Sequence, residues 1–453
     1  MPRRLGLVVC IGLGMLCVQA LAGPDVIVGN LTGPSHAGGN GPHKWGTIAG
    51  VTAYSFGTDS CNVGDEPLAW FFDTRFHPVI LQNVYRLRSR RFEQIGMAWI
   101  KHAFAAFQFE LCSPCTPEPG FSLLGVGCSD PYSSITNGAQ ESLGPRSEVN
   151  ATTGVFDFPY STQGMTGDVL YKRIQIANAD LDPALNPGAL YFAEGHYIHP
   201  DDAGVADDNN ASYRRFSVGP FEDGGFQLNW ADPVHRRMPA IQAWQDTDPG
   251  VQLTPVDVPG DGRFWVGSRV TDNLDGTWRY EYAVENLNSD RSAGGLAVPI
   301  VGFVGVTGVG FHDIDYHSGE PFDPTDWTAT VSATEVAWAS PQTFDQNPDS
   351  NALRFSTIYN FRFTADTPPI AGQVTLLLFK PGVPGEIAAD ASVPGPGRCL
   401  ADIDGDGDAD VADFFAFVSA FAAGDPAADL NRDGSVDVND FFAFVASFSA
   451  GCP

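Results

Sequence analysis

The chain has 453 residues, with 25 Lys and Arg against 54 Asp and Glu and a formal net charge of −29. So acidic a surface repels phosphate backbones and anionic headgroups, which excludes nucleic acid and anionic membranes as partners. With 17% charged and 12% aromatic residues the chain is not disordered, and 50 Gly and 34 Pro favour short strands joined by many turns.

Residues 1–22 read as a secretory signal peptide. Arg3 and Arg4 precede an apolar run from Leu5 to Val18, and Ala20-Leu21-Ala22 offers an A-x-A cleavage site. No later apolar run reaches the ~18 residues of a membrane span, so the product is expected outside the cell or at its surface without a span. Six cysteines follow the signal: Cys61, Cys112, Cys115, Cys128, Cys399 and Cys452. An even number after export reads as disulfides, and sequence does not choose among the pairings of the first four. Cys112-Ser113-Pro114-Cys115 has the spacing of a redox or zinc motif, but neither a second C-x-x-C nor a helix opening at Cys112 supports that chemistry.

Residues 23–249 are expected to be a β-rich N-terminal domain and 250–385 an immunoglobulin-like antiparallel β-sandwich. Segments such as Val79–Leu87, Ala189–His199, Gly262–Thr271 and Gln373–Phe379 are rich in β-branched and aromatic residues and bounded by turn formers. Met97–Phe109 is the one stretch read as a sizeable helix. Asn273-Leu274-Asp275-Gly276 reads as a hairpin turn with glycine in the left-handed position. After it, Trp278, Tyr280, Tyr282 and Val284 alternate with Arg279, Glu281, Ala283 and Glu285, the pattern of a half-buried strand. Residues 386–398, rich in Pro, Gly and Ala, read as a semi-extended linker.

Within the body, His312, Asp313, Asp315 and His317 form the leading cluster of metal-ligand types. On a strand Asp313, Asp315 and His317 share one face, which could hold a divalent ion or another ligand. His196 and His199, three apart in an extended stretch, fall on opposite faces and do not suit a shared metal. The acidic loop from Asp201 to Asn210 reads as a calcium-stabilised turn. For glycoside hydrolysis Glu141, Glu148, Glu194, Glu281 and Glu285 are available, but no spacing selects a catalytic pair. No nucleophile elbow, H-E-x-x-H or phosphate-binding glycine loop is present.

The most specific motif is a duplication at the C-terminus. DIDGDGDADVADFFAFVSAF begins at Asp402 and DLNRDGSVDVNDFFAFVASF at Asp429, an offset of 429 − 402 = 27 residues. Each copy places oxygen side chains at loop positions one, three, five, nine and twelve and glycine at six, as a calcium loop requires. The first site's ligands are Asp402, Asp404, Asp406, Asp410 and Asp413, with the Asp408 backbone carbonyl. The second site's are Asp429, Asn431, Asp433, Asp437 and Asp440, with the Ser435 carbonyl. Cys399 and Cys452 bracket residues 399–453 and are expected to staple this small module.

The duplication resembles dockerins, in which two calcium loops are each followed by one helix and the twelfth position is Asp. It is similar to the Cys-bounded dockerin-like tails of secreted environmental bacterial proteins. The resemblance implies two Ca2+ ions and a protein partner, either a cohesin-like receptor or a neighbouring copy. Where many dockerins carry hydroxyl pairs, this chain has Val411-Ala412 and Val438-Asn439. The function expected is a secreted calcium-binding structural or assembly protein whose tail anchors a β-sandwich body. The alternative is a carbohydrate-active enzyme or carbohydrate-binding protein, with polysaccharide as its ligand, for which the family association is the only support.

Overall fold

The computed structural model describes residues 23–34, 40–302, 304–397, 399–430 and 434–451. The expected signal peptide lies outside these residues. The body is mainly β, with antiparallel sheets packed as sandwiches, and a small helical module follows it.

In the C-terminal half of the body, two five-stranded sheets face each other. One runs in the order Gln252–Asp257, Arg263–Asp272, Trp278–Asn286, Thr357–Ala365, Val306–His312. The other runs Thr328–Val331, Glu335–Ala339, Ala293–Pro299, Pro369–Leu378, Glu386–Pro394. Phe264, Tyr280, Tyr282, Val298, Trp338, Phe363 and Leu376 fill the space between them. The hairpin turn forms as expected: Asp272 pairs with Trp278 and Gly276 has φ +85°. The strand Trp278–Asn286, however, is buried on both faces rather than half-buried. Glu281, Ala283 and Glu285 are covered because the N-terminal half packs against that side.

That N-terminal half sets a three-stranded sheet (Val26–Thr32, Gly57–Asn62, Ser129–Tyr132) on a seven-stranded one centred on Val79–Arg88 and Leu190–Ile198. Val28, Leu31, Tyr54, Ile80, Val84, Ala193 and Tyr197 form its core. The two halves also share a core. Trp244, on the short helix Gln242–Thr247, packs with Tyr85, Phe92 and Phe192 on one side and Ala283 and Ile358 on the other. Polar contacts join them too: Arg91 makes paired hydrogen bonds to Glu281 at 2.8 and 3.0 Å, and Asn83 donates to Ser356 Oγ at 2.8 Å.

Two further sequence expectations fail here. Met97–Phe109 is not a helix. Arg91–Met97 and Ile100–His102 both pair with Val79–Arg88, and beyond them the amides of Phe104 and Phe107 donate to Tyr132 Oη and Asp130 Oδ1. Strand pairing and side-chain acceptors override the local helix preference. Residues 386–398 are not simply a linker either. Glu386–Pro394 is an edge strand paired along Pro369–Leu378, and Ile387, Ala389, Ala391 and Val393 all face the core.

Two disulfides pin the N-terminal half, Cys61–Cys112 and Cys115–Cys128. The two cysteines of the C-x-x-C therefore have different partners, which closes its redox and zinc readings. Cys399 is also disulfide-bonded, while Cys452 lies outside the described residues. Among the described residues no helix is long and apolar enough to cross a membrane.

Candidate metal centre

The tail folds as two loop–helix units, with helices Val411–Ala423 and Val438–Ala450. Loop geometry follows from glycine and aspartate chemistry. Gly405 and Gly407 take φ of +78° and +98°, which side chains rarely tolerate, and the turn brings backbone amides onto the carboxylates. Asp402 accepts from Gly405 N at 2.7 Å and Gly407 N at 3.0 Å, Asp404 from Asp406 N at 3.2 Å, and Asp406 from Asp408 N at 3.0 Å. Asp413 reaches back from the helix and accepts from Ile403 N, Asp404 N and Asp410 N at 2.7, 3.1 and 2.9 Å. These amides, that of Asp410 foremost, hold the Asp413 carboxyl below its usual pKa.

The result is a convergence of charge. One carboxylate oxygen from each of Asp402, Asp404, Asp406 and Asp413 lies within 4.8 Å of the others. Such an all-oxygen, fourfold acidic set could hold a hard divalent cation. The side chain of Asp410 is not part of it and caps the helix by accepting from Ala412 N at 2.7 Å, while Asp408, whose expected contribution is its backbone carbonyl, donates its amide to Asp406 and is exposed.

The second loop repeats this geometry where it is described. Asp429 accepts from Gly434 N at 3.0 Å, the counterpart of Asp402 and Gly407, and Gly434 has φ +88°. Asp440 accepts from Leu430 N at 2.9 Å and Asp437 N at 2.8 Å, as Asp413 does from Ile403 and Asp410. Asp437 caps its helix through Asn439 N at 2.8 Å. The second Asp429 oxygen is buried with no hydrogen-bond partner among the described residues. Asn431 and Asp433 lie outside the described residues, and Ser435 is described at the loop's edge.

The body cluster His312, Asp313, Asp315, His317 does not assemble, because partners from elsewhere in the fold claim it. His312 Nε2 is 3.3 Å from Gln94 O, and Asp313 accepts from Asn351 Nδ2 at 2.6 Å. Both ring nitrogens of His317 are engaged, by Met97 O at 2.9 Å and by Ser318 Oγ at 2.9 Å. Burial pushes Asp313 up to about 6 and His317 down to about 4. Asp315 is exposed, and among the described residues these groups do not converge on one coordination sphere. His196 and His199 are likewise structural: His199 bridges Ala69 O and Asp201 N at 2.7 and 3.0 Å, and His196 faces Ser356.

Sequence reasoning missed a cavity of about 290 Å³ in the N-terminal half, lined by His77, Lys101, His102, Glu141 and Tyr160 among others. His77 Nε2 and His102 Nδ1 are 3.1 Å apart, and His102 stacks on Tyr160 at 3.9 Å. Burial lowers Lys101 to about 7 and keeps both imidazoles neutral. Only the pairing of Val79–Arg88 with Ile100–His102 brings His77 to His102, so no local spacing could have signalled it.

No family model matches the chain, and no curated protein matches it. A serine-rich repeat adhesion glycoprotein from Streptococcus agalactiae aligns at 7% identity and TM-score 0.19, over 76% of this chain and 89% of that one. An exo-chitosanase from Amycolatopsis orientalis aligns at 9% identity and TM-score 0.17, over 79% of this chain and 26% of that one. At these scores neither likeness bears on function.

Proposed function

We propose that this is a secreted, non-catalytic assembly protein whose β-sandwich body is carried by a calcium-folded, dockerin-type module that docks onto a protein partner or a neighbouring copy. One observation carries the reading. Val411, Phe415 and Val418 are 66%, 65% and 39% exposed, and their repeats Val438, Phe442 and Val445 are 56%, 63% and 42% exposed. Spacing of i, i+4, i+7 puts each trio on one side of its helix, turned away from the module's own core. A 55-residue appendage does not expose the same apolar stripe twice for its own stability, and such a surface marks a contact. Calcium is the proposed ligand of both loops, because neutralising the convergent carboxylates fixes the helices that present the stripes. The body disulfides suit an oxidising exterior.

A pull-down with the full chain as bait, in calcium and in chelator, tests this. Capture of a partner or of a second copy in calcium, released by chelator and lost in F415A/F442A, is the expected result. Equal recovery in calcium and chelator overturns it.

The second reading, a carbohydrate-active body, draws on the cavity with Lys101, His102 and Glu141. Reducing sugar released from a polysaccharide panel, and lost on His102→Ala, would favour it over the first.

A further inference from the structure

Asp25 lies just before the first strand, Val26–Thr32, and meets a loop that follows Leu190–Ile198 in the fold. Asp25, Asp202 and Asn210 are 1%, 0% and 1% exposed. One oxygen of each, Oδ1, is buried and accepts no hydrogen bond, and the same holds for Oδ1 of Asn209. The remaining contacts interlock the four. Asp202 Oδ2 accepts from Val26 N at 3.4 Å, and Asp25 Oδ2 from Asn209 Nδ2 at 3.3 Å. The Asn210 amide faces the Asp202 carboxylate, which also feels the charge of Asp25. Among the described residues neither Asp25 nor Asp202 is in a salt bridge, and the basic group whose field reaches Asp25 is Arg237.

We propose that Asp25, Asp202, Asn209 and Asn210 hold a calcium ion within the body, clamping the first strand to the 201–210 loop. Two buried carboxylates and two amide carbonyls present acceptors and no free donor, the chemistry of a hard divalent cation. A proton shared by the carboxylates would answer their repulsion but would leave the asparagine oxygens without partners. The ion also lies at a junction. The same loop meets the second sandwich through Asp207 O, which accepts from Asn288 Nδ2 at 3.3 Å, and through Asp208, which pairs with Arg263 at 3.0 Å. Binding there ties three segments distant in sequence, and it stands independently of the C-terminal loops.

The test uses the full chain with the tail loops disabled by D402N/D404N/D429N/D440N, stripped by chelator and titrated with calcium by calorimetry. This chain is expected to bind one calcium and to unfold at higher temperature when it does. Adding Asp202→Asn is expected to abolish both effects while leaving the calcium-free fold intact by circular dichroism. A tail-disabled chain that binds no calcium overturns the proposal, whether or not the Asp202→Asn variant folds. Unchanged stoichiometry in a folded Asp202→Asn variant overturns it as well.

Discussion

Phe417 and Phe444, the same residue in the two copies of the repeat, stack face to face with centroids 4.2 Å apart and planes 1° from parallel. Both are fully buried, whereas Phe415 and Phe442, two positions earlier in each copy, are among the most exposed aromatics of the chain. The Phe-rich sequence thus divides by role, one pair holding the helices together and one facing outward. Phe417→Ala is expected to cost the module about 3–5 kcal/mol, as large core truncations do. Phe415→Ala, at the surface, should stay within about 0.5 kcal/mol. Protease cleavage within Val411–Ala423 at rising urea, in calcium, reads the difference. Similar cleavage of the two variants would contradict this division.

Calcium should protect the first loop from proteolysis, and Asp413 should be the residue on which protection depends most. Its carboxylate receives three backbone amides and also joins the acidic convergence. Asp413→Asn removes a charge from the site and turns an N–H toward amides that need an acceptor. Cleavage between residues 403 and 410 is expected to be slow in calcium and fast in chelator for the native chain, and fast in both for Asp413→Asn. Asp408→Asn keeps the backbone carbonyl and leaves an exposed side chain uncharged, so it should retain calcium protection. A native loop cut equally in calcium and chelator would count against calcium binding there.

The tail's loop–helix units could be read from sequence because tight turns and helix caps fix glycine and aspartate at fixed local spacing. The 273–276 hairpin was legible for a similar reason, since its geometry needs glycine at one position. His312 to His317 misled because the groups that claim them, Gln94, Met97 and Asn351, come from other strands and loops. The edge strand Glu386–Pro394 was hidden by its alanines. Ala389 and Ala391 alternate inward with Ile387 and Val393, but alanine carries too little hydrophobic contrast for the period to show. This strand gives a direct check. Ala391 is fully buried and Ala388 exposed, so Ala391→Asp should destabilise the body by at least about 2 kcal/mol, the cost of burying an unpartnered polar group. Ala388→Asp should be nearly neutral. Thermal unfolding of the two variants decides whether the segment is strand or tether.

Stability should fall as pH rises, and Glu285 should be a main cause. It is fully buried where the two halves meet, both its carboxylate oxygens lack hydrogen-bond partners, and Glu194 stands near it. Glu194 is given donors by Asn83, Tyr85 and the Ala240 amide, so Glu285 is the one held protonated, its pKa raised well above the usual 4.5 by desolvation and then by Glu194. The folded chain therefore keeps a proton that the unfolded chain releases above about 4.5, and stability is lost as pH climbs from there toward the raised pKa. Glu285→Gln removes that loss. The variant should gain melting temperature over the native chain at pH 8 and gain less at pH 4. Parallel curves across this range would exclude Glu285 as the source.

The disulfides should matter in proportion to the loops they close. Cys61–Cys112 spans 51 residues and Cys115–Cys128 spans 13. On the chain-entropy model these are worth about 4 and about 3 kcal/mol, so losing the longer bridge costs more. Both bridges pin the segment after His102, which has little ladder pairing of its own: Phe109 bridges to Ser129, and the two residues Leu123–Leu124 pair with Leu68–Ala69. That segment displays Phe104, Phe107, Phe109 and Phe121 at the surface. Loss of the bridges should thus release it locally before the sheets separate, since stability is uneven across a fold. In mild reductant, cleavage is expected to appear within residues 103–127 while the rest of the body stays resistant. C61A/C112A should reproduce those cuts more strongly than C115A/C128A. Equal resistance of reduced and oxidised chains would show that packing, not the bridges, holds the segment.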